Sequence, residues 1–269
     1  MISKQQPKNW EVPTYEITFG SPKSKPFSLV IPVINEGDRI LNLLERMKDL
    51  KITDLVDIII VDGGSTDGSL EPSRLQSFGV NTLLLKTGPG KLSAQLRCAY
   101  SFCLLRGYKG VVTIDGNNKD DPKAIPAFID KLNEGYDFVQ ASRFIPGGEA
   151  VNTPLSRNLA IRLIHAPLLS LASGFHWTDT TQGFRAYSSK MLSCEKIGIF
   201  RNIFSEYELL AYLSYIAPKL KFRCIEIPTT RCYPKGETPT KISIFSGNFK
   251  VLTTLIRACS GSYNAKVSP

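Results

Sequence analysis

An α/β fold, with a mostly parallel central sheet flanked by helices, is predicted by three observations. Short unbroken apolar runs alternate with stretches at helical spacing. The first, second and fourth of these runs lead straight into polar turns carrying Asp, Asn, Glu or Gly. The chain has 269 residues, 42% of them hydrophobic, which suits one core of good size, or one core with a small appendage.

Taken in order, residues 1–26 are polar and interrupted by Pro at 7, 13, 22 and 26, the pattern of a leader lying loosely on the surface or strapped across it. Phe27 to Val33 has the length and composition of a buried parallel strand. Ile40 to Leu50 follows as a helix, with Ile40, Leu43, Leu44, Met47 and Leu50 on one side. Val56 to Val61 and Val80 to Leu85 read as the next strands, and Ser93 to Arg106 as a helix. Val111 to Ile114 is a fourth strand, Ala124 to Leu132 a helix, and Phe138 to Ala141 a fifth strand. The second half is less regular. Leu155 to Leu171 is helical with Pro167 expected to kink or break it, since proline lacks the N–H and crowds the preceding turn. Tyr207 to Ile216 reads as a core helix, Phe222 to Ile227 as a strand, and Phe245 to Ala258 as an amphipathic helix.

The formal charge of +9 points to an anionic partner: nucleic acid, an anionic membrane surface or a phosphorylated small molecule. No block of five consecutive basic residues and no zinc-finger or helix-turn-helix pattern occurs, which argues against nucleic acid. Six Cys without a Cys-x-x-Cys pair, and only two His, exclude a zinc site of ordinary spacing and read as free thiols in the cytoplasm. No apolar run is long enough to span a bilayer, which leaves lying on one open.

In sheets of this kind ligands bind beyond the carboxyl ends of the strands. That rule selects Pro32 to Glu36, Asp62 to Gly68 and Asp115 to Asp121. Asp62 opens DGGSTDG, where the glycines allow a sharp turn and the carboxylate can accept from a nucleobase or a ribose hydroxyl. A plain capped turn is the competing reading. In DGNNKDDP, Asp115 and Asn117 can offer oxygen to a hard divalent cation, whereas the Lys119 ammonium has no lone pair to give. A solvated Asn- and Asp-rich turn competes there. Arg143, Arg157, Arg185 and Arg231 are each ordinary surface residues in isolation, but clustered they would suit a diphosphate, because a guanidinium fork matches phosphate oxygens. Asp179, in DTTQGFR, is a candidate base. His165 fits a core or edge position, and His176 with Trp177 either the mouth of the site or ordinary packing.

The ordered segments resemble the inverting nucleotide-sugar glycosyltransferases of family two, and within them the dolichyl- or polyprenyl-phosphate mannose and glucose synthases. The resemblance runs from about Phe27 to Lys241 through IPVINEG, DGGSTDG, GPGKLSAQLRCAY, DGNNKDDP, SRF, SRN, DTTQGFR, EYELL, EIP and RCYPKGETPTK. It implies a GT-A-like fold in which Pro32, Glu36, Asp62 and Lys91 meet the nucleotide. It implies Asp115 and Asn117 at the metal, and Arg143, Arg231 and Lys241 offsetting the charge of the diphosphate or of an acceptor phosphate. Two residues depart from the usual Asp-x-Asp-x-Gln pattern: Asn117 replaces the second Asp, and Lys119 stands where an oxygen ligand usually sits. A weaker demand for Mg²⁺ or Mn²⁺ is the expected result, with Lys119 neutralising part of the diphosphate.

The implied reaction moves a sugar from a nucleoside diphosphate sugar, with inversion, to a polyprenyl phosphate or to a saccharide of surface-polysaccharide assembly. Asp179 serves as base if the acceptor is a hydroxyl and positions groups if it is a phosphate. The domain plan is a leader over 1–26, a catalytic domain over 27–241, and a helix with tail over 242–269. Peripheral contact with the cytoplasmic membrane face is expected of the helix from Phe245, through Phe249, Leu252 and Ile256, with the helix around Ile161 to Leu171 as a second apolar surface. Packing of both helices into the core or between identical chains is the competing reading. Against the enzyme stand a non-catalytic nucleotide-sugar or polysaccharide-binding protein with a degenerate metal site, and a nucleotidyltransferase.

Overall fold

The computed structural model describes residues 6–234 and 246–265. The strands are β1 (Tyr15–Gly20), β2 (Phe27–Val33), β3 (Val56–Asp62), β4 (Val80–Lys86), β5 (Gly110–Thr113), β6 (Phe138–Ser142), β7 (Glu149–Val151), β8 (Arg185–Ser188), β9 (Cys224–Pro228) and β10 (Thr230–Cys232). The helices are α1 (Asp38–Asp49), α2 (Pro72–Ser77), α3 (Leu92–Leu105), α4 (Ile125–Asn133), α5 (Leu155–Ala160), α6 (Ala166–Ser173), α7 (Ser189–Leu192), α8 (Glu208–Lys219) and α9 (Ser246–Cys259).

Among the described residues eight strands make one sheet in the order β1-β4-β3-β2-β5-β8-β6-β9, while β10 pairs with β7 apart from it. Strands β2 to β5 run parallel, and β6 pairs parallel with β9. Antiparallel β1 closes one edge, and antiparallel β8 lies between β5 and β6. The period-two alternation of side chains divides each central strand between two cores. Leu29, Ile31, Ile58 and Ile60 join Leu43, Leu44 and Phe128 on the α1 and α4 face. Val30, Ile59 and Val61 join Leu96, Phe102, Leu213 and Ile216 on the α3 and α8 face. Burying such a side chain stabilises by about 1.5–3 kcal/mol, so both faces must be covered, and both are.

The strands and helices expected from apolar runs are present, with ends shifted by up to three residues. Two expectations need correction. Residues 1–26 are not merely laid on the surface: Tyr15–Gly20 is the edge strand beside β4, and Trp10 stacks on Phe200 at 3.9 Å between ring centroids. Pro167 does not break its helix. Residues Ile161–His165 form a π turn between α5 and α6, so that the chain winds on without a break from Leu155 to Ser173. The wider turn accommodates the carbonyl that proline leaves without a donor. Helix α9 packs against α8 and α6, burying Leu255 and Ala258, and within it only Ile256 is an exposed large apolar residue among those described. Of the face expected on α9, Phe245 and the side chain of Phe249 lie outside what the structure describes, while Leu252 is partly buried. On α5, the π turn and α6, Leu155, Leu159, Leu163, Ile164, Leu168 and Leu171 are all exposed. No described helix is long and apolar enough to cross a membrane.

Candidate active site

The loops after β2 and β3 are joined into one platform. Gly63 N donates to Val33 O at 2.8 Å, and Gln95 Nε2 donates to Val33 O and Val61 O at 2.9 and 3.0 Å. A Cβ on Gly63 would lie 2.9 Å from Gln95 Nε2, so glycine is what lets the amide reach both strand ends. Asn35 N donates to Ser65 Oγ at 3.0 Å and Asn35 Oδ1 accepts from Thr66 N at 2.8 Å, while Gly37 N donates to Asp67 Oδ2 at 2.8 Å. Asp62 Oδ1 accepts from Gly64 N, Ser65 N and Ser65 Oγ, which fixes the carboxylate and leaves Oδ2 without a hydrogen-bond donor among the described residues. Pro32 lies beside the Asp115 loop: a Cβ on Gly116 would come within 3.2 Å of its carbonyl oxygen. Glu36 pairs with Arg39 Nε at 2.9 Å, and Lys91, at the start of α3, stands 3.3 Å from Glu206 Oε1. Both thus already have protein partners at the rim of the platform.

Beyond β5 the charges are dense. Arg231 Nη2 lies 3.1 Å from Asp115 Oδ2, and Arg231 Nη1 2.5 Å from Asp120 Oδ2. Burial works against the Arg231 charge, but the two carboxylates outweigh it and hold the guanidinium well above its usual range. Asp120 is fully buried, and its second oxygen, Oδ1, has no hydrogen-bond partner. Gly183 makes room for Asp115, since a Cβ there would fall 2.2 Å from Oδ1. Arg46 secures the loop by donating to Asn118 Oδ1 at 2.8 Å and pairing with Asp121 at 2.9 Å.

Asp115 is partly exposed and Asn117 Oδ1 accepts the Lys119 N–H, at 3.2 Å. This one carboxylate and one amide offer the oxygen donors that a hard divalent cation takes. No group of three or more His, Cys, Asp or Glu able to hold a metal occurs among the described residues. The Lys119 ammonium lies 4.8 Å from the centre of the Tyr233 ring and feels the Asp115 charge. Burial, and then neighbouring Arg231, lower its pKa.

Tyr233, which the sequence did not single out, is the hub of the second half of the site. Lys119, Arg157 and Arg231 all approach its ring, and Arg157 Nη1 donates to Tyr233 Oη at 2.9 Å. Burial raises the phenol pKa, but Arg231 and Arg157 reverse this and leave it lowered. The signal lay in strand spacing, because residues 231 and 233 share one side of an extended chain. Arg143 and Asp179 form a buried bidentate pair, Nε to Oδ2 at 2.7 Å and Nη2 to Oδ1 at 3.0 Å. Asp179 also accepts from Gln182 Nε2 at 2.6 Å and from Thr181 N at 3.3 Å. Burial raises the Asp179 pKa, while Arg143 and these donors overcome it and hold the carboxylate below its usual range. The candidate base is therefore a fully buried carboxylate bonded to Arg143, Gln182 and Thr181, an arrangement that matches the positioning role expected of Asp179 for a phosphate acceptor better than that of a base. Arg143 Nη1 is left without a partner. Arg185 lies apart from this cluster, a buried clamp donating to Thr180 O, Gln182 O and Leu210 O. Trp177 belongs to the core, where it packs on Phe138. Lys241 lies outside the described residues.

The sequence profile described as "Glycosyl transferase family 2" matches residues 28–200, more than half of the chain. The chain belongs to glycosyl transferase family 2. Among its relatives, the polyprenol monophosphomannose synthase of Mycolicibacterium smegmatis is 26% identical, over 75% of this chain and 76% of that protein. The undecaprenyl-phosphate mannosyltransferase of Micrococcus luteus is also 26% identical, over 75% of this chain and 81% of its own length. A crystal structure of glucosyl-3-phosphoglycerate synthase from Mycobacterium tuberculosis, in complex with Mn²⁺, UDP and glucosyl-3-phosphoglycerate, matches with a TM-score of 0.58 at 17% identity. That match covers 88% of this chain and 81% of the other, and it bears on the fold. This family-2 chain is thus a glycosyltransferase with the GT-A architecture, and neither the non-catalytic nor the nucleotidyltransferase reading is favoured. The platform of Pro32 and Asp62 lies on one side of Asp115, at the ends of β2 and β3. The cations around Tyr233 and the Arg143–Asp179 pair lie on the other side, toward β6 and β9.

Proposed function

We propose that this glycosyltransferase moves a hexose from a nucleoside diphosphate sugar to a polyprenyl phosphate, inverting the anomeric carbon, as a peripheral protein at the cytoplasmic face of a membrane. The observation that carries the reading is the convergence of Lys119, Arg157 and Arg231 on Tyr233 beside Asp115. Three cations at a buried aromatic ring make an oxyanion cradle, and an acceptor that is already an anion needs no general base. The commitment of Asp179 to Arg143 agrees with that. The names of the two relatives, a polyprenol and an undecaprenyl-phosphate transferase, support the same acceptor class.

In this mechanism Asp62 accepts from the base or ribose of the donor through its free Oδ2, on a platform held rigid by Gln95. Asp115 and Asn117 would hold a Mg²⁺ or Mn²⁺ ion, which supplies positive charge to the leaving diphosphate. Arg231 and Lys119 add charge that needs no ion. Arg157 and the Tyr233 hydroxyl orient the acceptor phosphate, and buried Arg143 adds positive charge behind them. An acceptor oxygen then forms its bond to the anomeric carbon on the face opposite the diphosphate, whose bond to that carbon breaks.

The test is transfer from a panel of nucleoside diphosphate sugars to a short-chain, water-soluble polyprenyl phosphate, followed by mass spectrometry. A lipid-linked hexose monophosphate with inverted configuration is expected, together with loss of nucleotide binding in Asp62→Ala. Transfer to a free sugar hydroxyl but never to the phosphate would overturn the acceptor assignment.

A further inference from the structure

We infer that the outer face of the helix from Leu155 to Ser173 docks on an anionic lipid surface and sets the cation cradle at headgroup level. This rests on the polyprenyl phosphate reading above and identifies the surface that serves it. Leu155, Leu163 and Leu171 are 74%, 69% and 86% exposed, and Leu159, Ile164 and Leu168 fill the face between them. The opposite side is a normal core face: Ile161, Ala166 and Leu169 are buried, and α6 packs against α8 and α9. Six large apolar side chains in a row on one helix are more than the scattered exposure that soluble surfaces show.

The π turn helps to make this face continuous. In a regular α-helix steps of four residues drift around the axis, whereas the wider turn at Ile161–His165 takes up an additional residue and keeps 159, 163, 164 and 168 together.

Charge selects the occupant. From Leu155 to Ser173 the helix carries Arg157, Arg162 and His165 and no Asp or Glu, and Arg162 is exposed beside the apolar row. An apolar stripe with basic residues and no acidic ones suits an interface of acyl chains and anionic headgroups. It does not describe a face built to meet an equally basic second copy of a chain whose net charge is +9.

Continuity with the site is the second support. Arg157 lies between Leu155 and Leu159 in sequence, about 3 Å along the axis from each at 1.5 Å per residue. While those leucines face outward, Arg157 reaches inward to Tyr233 Oη at 2.9 Å. An acceptor phosphate at headgroup depth therefore meets the cradle while its lipid chain stays in the bilayer.

The experiment uses the full chain and two exposed positions outside the site, in the double variant Leu163→Gln/Leu171→Gln. Co-sedimentation is measured with phosphatidylcholine vesicles, alone and with about a third phosphatidylglycerol. Transfer to the short-chain water-soluble acceptor is measured alongside. The wild type is expected to sediment with the anionic vesicles, and the double variant to lose at least four-fifths of that binding. Transfer to the soluble acceptor should stay within twofold. A variant that sediments like the wild type overturns the inference, as does a wild type that stays in solution at every composition. A wild-type dimer that the two substitutions dissociate, without vesicle binding, assigns the face to a second copy and overturns it too. Vesicle binding lost in the variant, with no transfer by either protein to any polyprenyl phosphate, upholds the surface and overturns the function proposed for the site.

Discussion

Arg157 Nη1 and Tyr233 Oη are hydrogen-bonded at 2.9 Å across 76 positions of sequence, and the same phenol ring has Lys119 and Arg231 against it. Tyr233→Phe keeps the ring and removes the oxygen that orients Arg157. A hydrogen bond to a charged group contributes about 1.5–3 kcal/mol, so the acceptor KM is expected to rise at least tenfold. The donor KM should stay within twofold. Steady-state kinetics varying each substrate in turn checks the split, and equal changes in both constants would contradict it.

Arg231 serves two carboxylates, Asp115 and the buried Asp120. Arg231→Ala leaves Asp120 inside the protein without its counter-charge, a change that costs about 3–5 kcal/mol in buried pairs. Urea unfolding should register that loss directly. Arg231→Lys keeps a charge but gives up the fork that spans both partners, so it should recover most of the stability and little of the transfer activity.

Asp179 predicts an acid limb in the stability profile. Its folded pKa is held below the unfolded value of about 3.9, so the native state binds fewer protons than the unfolded chain in that range. The stabilisation is complete above about pH 4 and is lost as pH falls further, through the folded pKa. Asp179→Asn should be less stable than wild type at pH 7. The gap between the two should narrow as pH falls from about 4, which thermal unfolding across pH measures. A gap independent of pH would show that the carboxylate charge does not matter.

Lys119→Gln tests how much of the diphosphate charge the chain itself offsets. A lysine about 4 Å from a phosphate oxygen is worth on the order of 4 kcal/mol at an effective dielectric near 20, and desolvation takes back part of that. Wild-type turnover should be stimulated by millimolar Mg²⁺ or Mn²⁺ without being abolished by chelator, and the variant should depend on the ion more strongly. Calorimetric titration of Mn²⁺ into each protein with bound nucleoside diphosphate gives a second readout. Identical cation curves for the two proteins would rule out charge substitution by Lys119.

Much of this was legible because buried parallel strands leave a plain trace. FSLVIPV and VDIIIV have few other places to go than a covered sheet, and the polar residues that end them had to fall at its ligand-binding rim. RAYS left no such trace. Strand β8 is four residues long, begins with a buried Arg185, and exists because β5 and β6 both offer an edge to it. Edge strand β1 alternates on an exposed surface and looks like a polar leader until β4 is placed beside it. In the site, Asp62 and Asp115 announced themselves as carboxylates at strand ends. The burial of Asp179 and its pairing with Arg143 could not be read, because both are tertiary facts. Tyr233 was hidden for a related reason, since an aromatic in a basic loop acquires meaning only once Lys119 and Arg157 arrive from elsewhere.

The antiparallel β8 also imposes an order on synthesis at the ribosome. Its Val111↔Tyr187 and Phe138↔Tyr187 pairings mean that β5 and β6 both emerge before the strand that joins them. At translation rates of 5–20 residues per second, the outer edge of β5 waits on the order of 4–15 s for residues 185–188. Gly183, against which Asp115 rests, and Arg231, which pairs with it, emerge later still than β5. A nascent chain stalled before residue 185 is thus expected to carry the β2–β3 platform without the Asp115–Arg231 pair, with the β5 edge and both edges of β6 open to chaperones or to other chains.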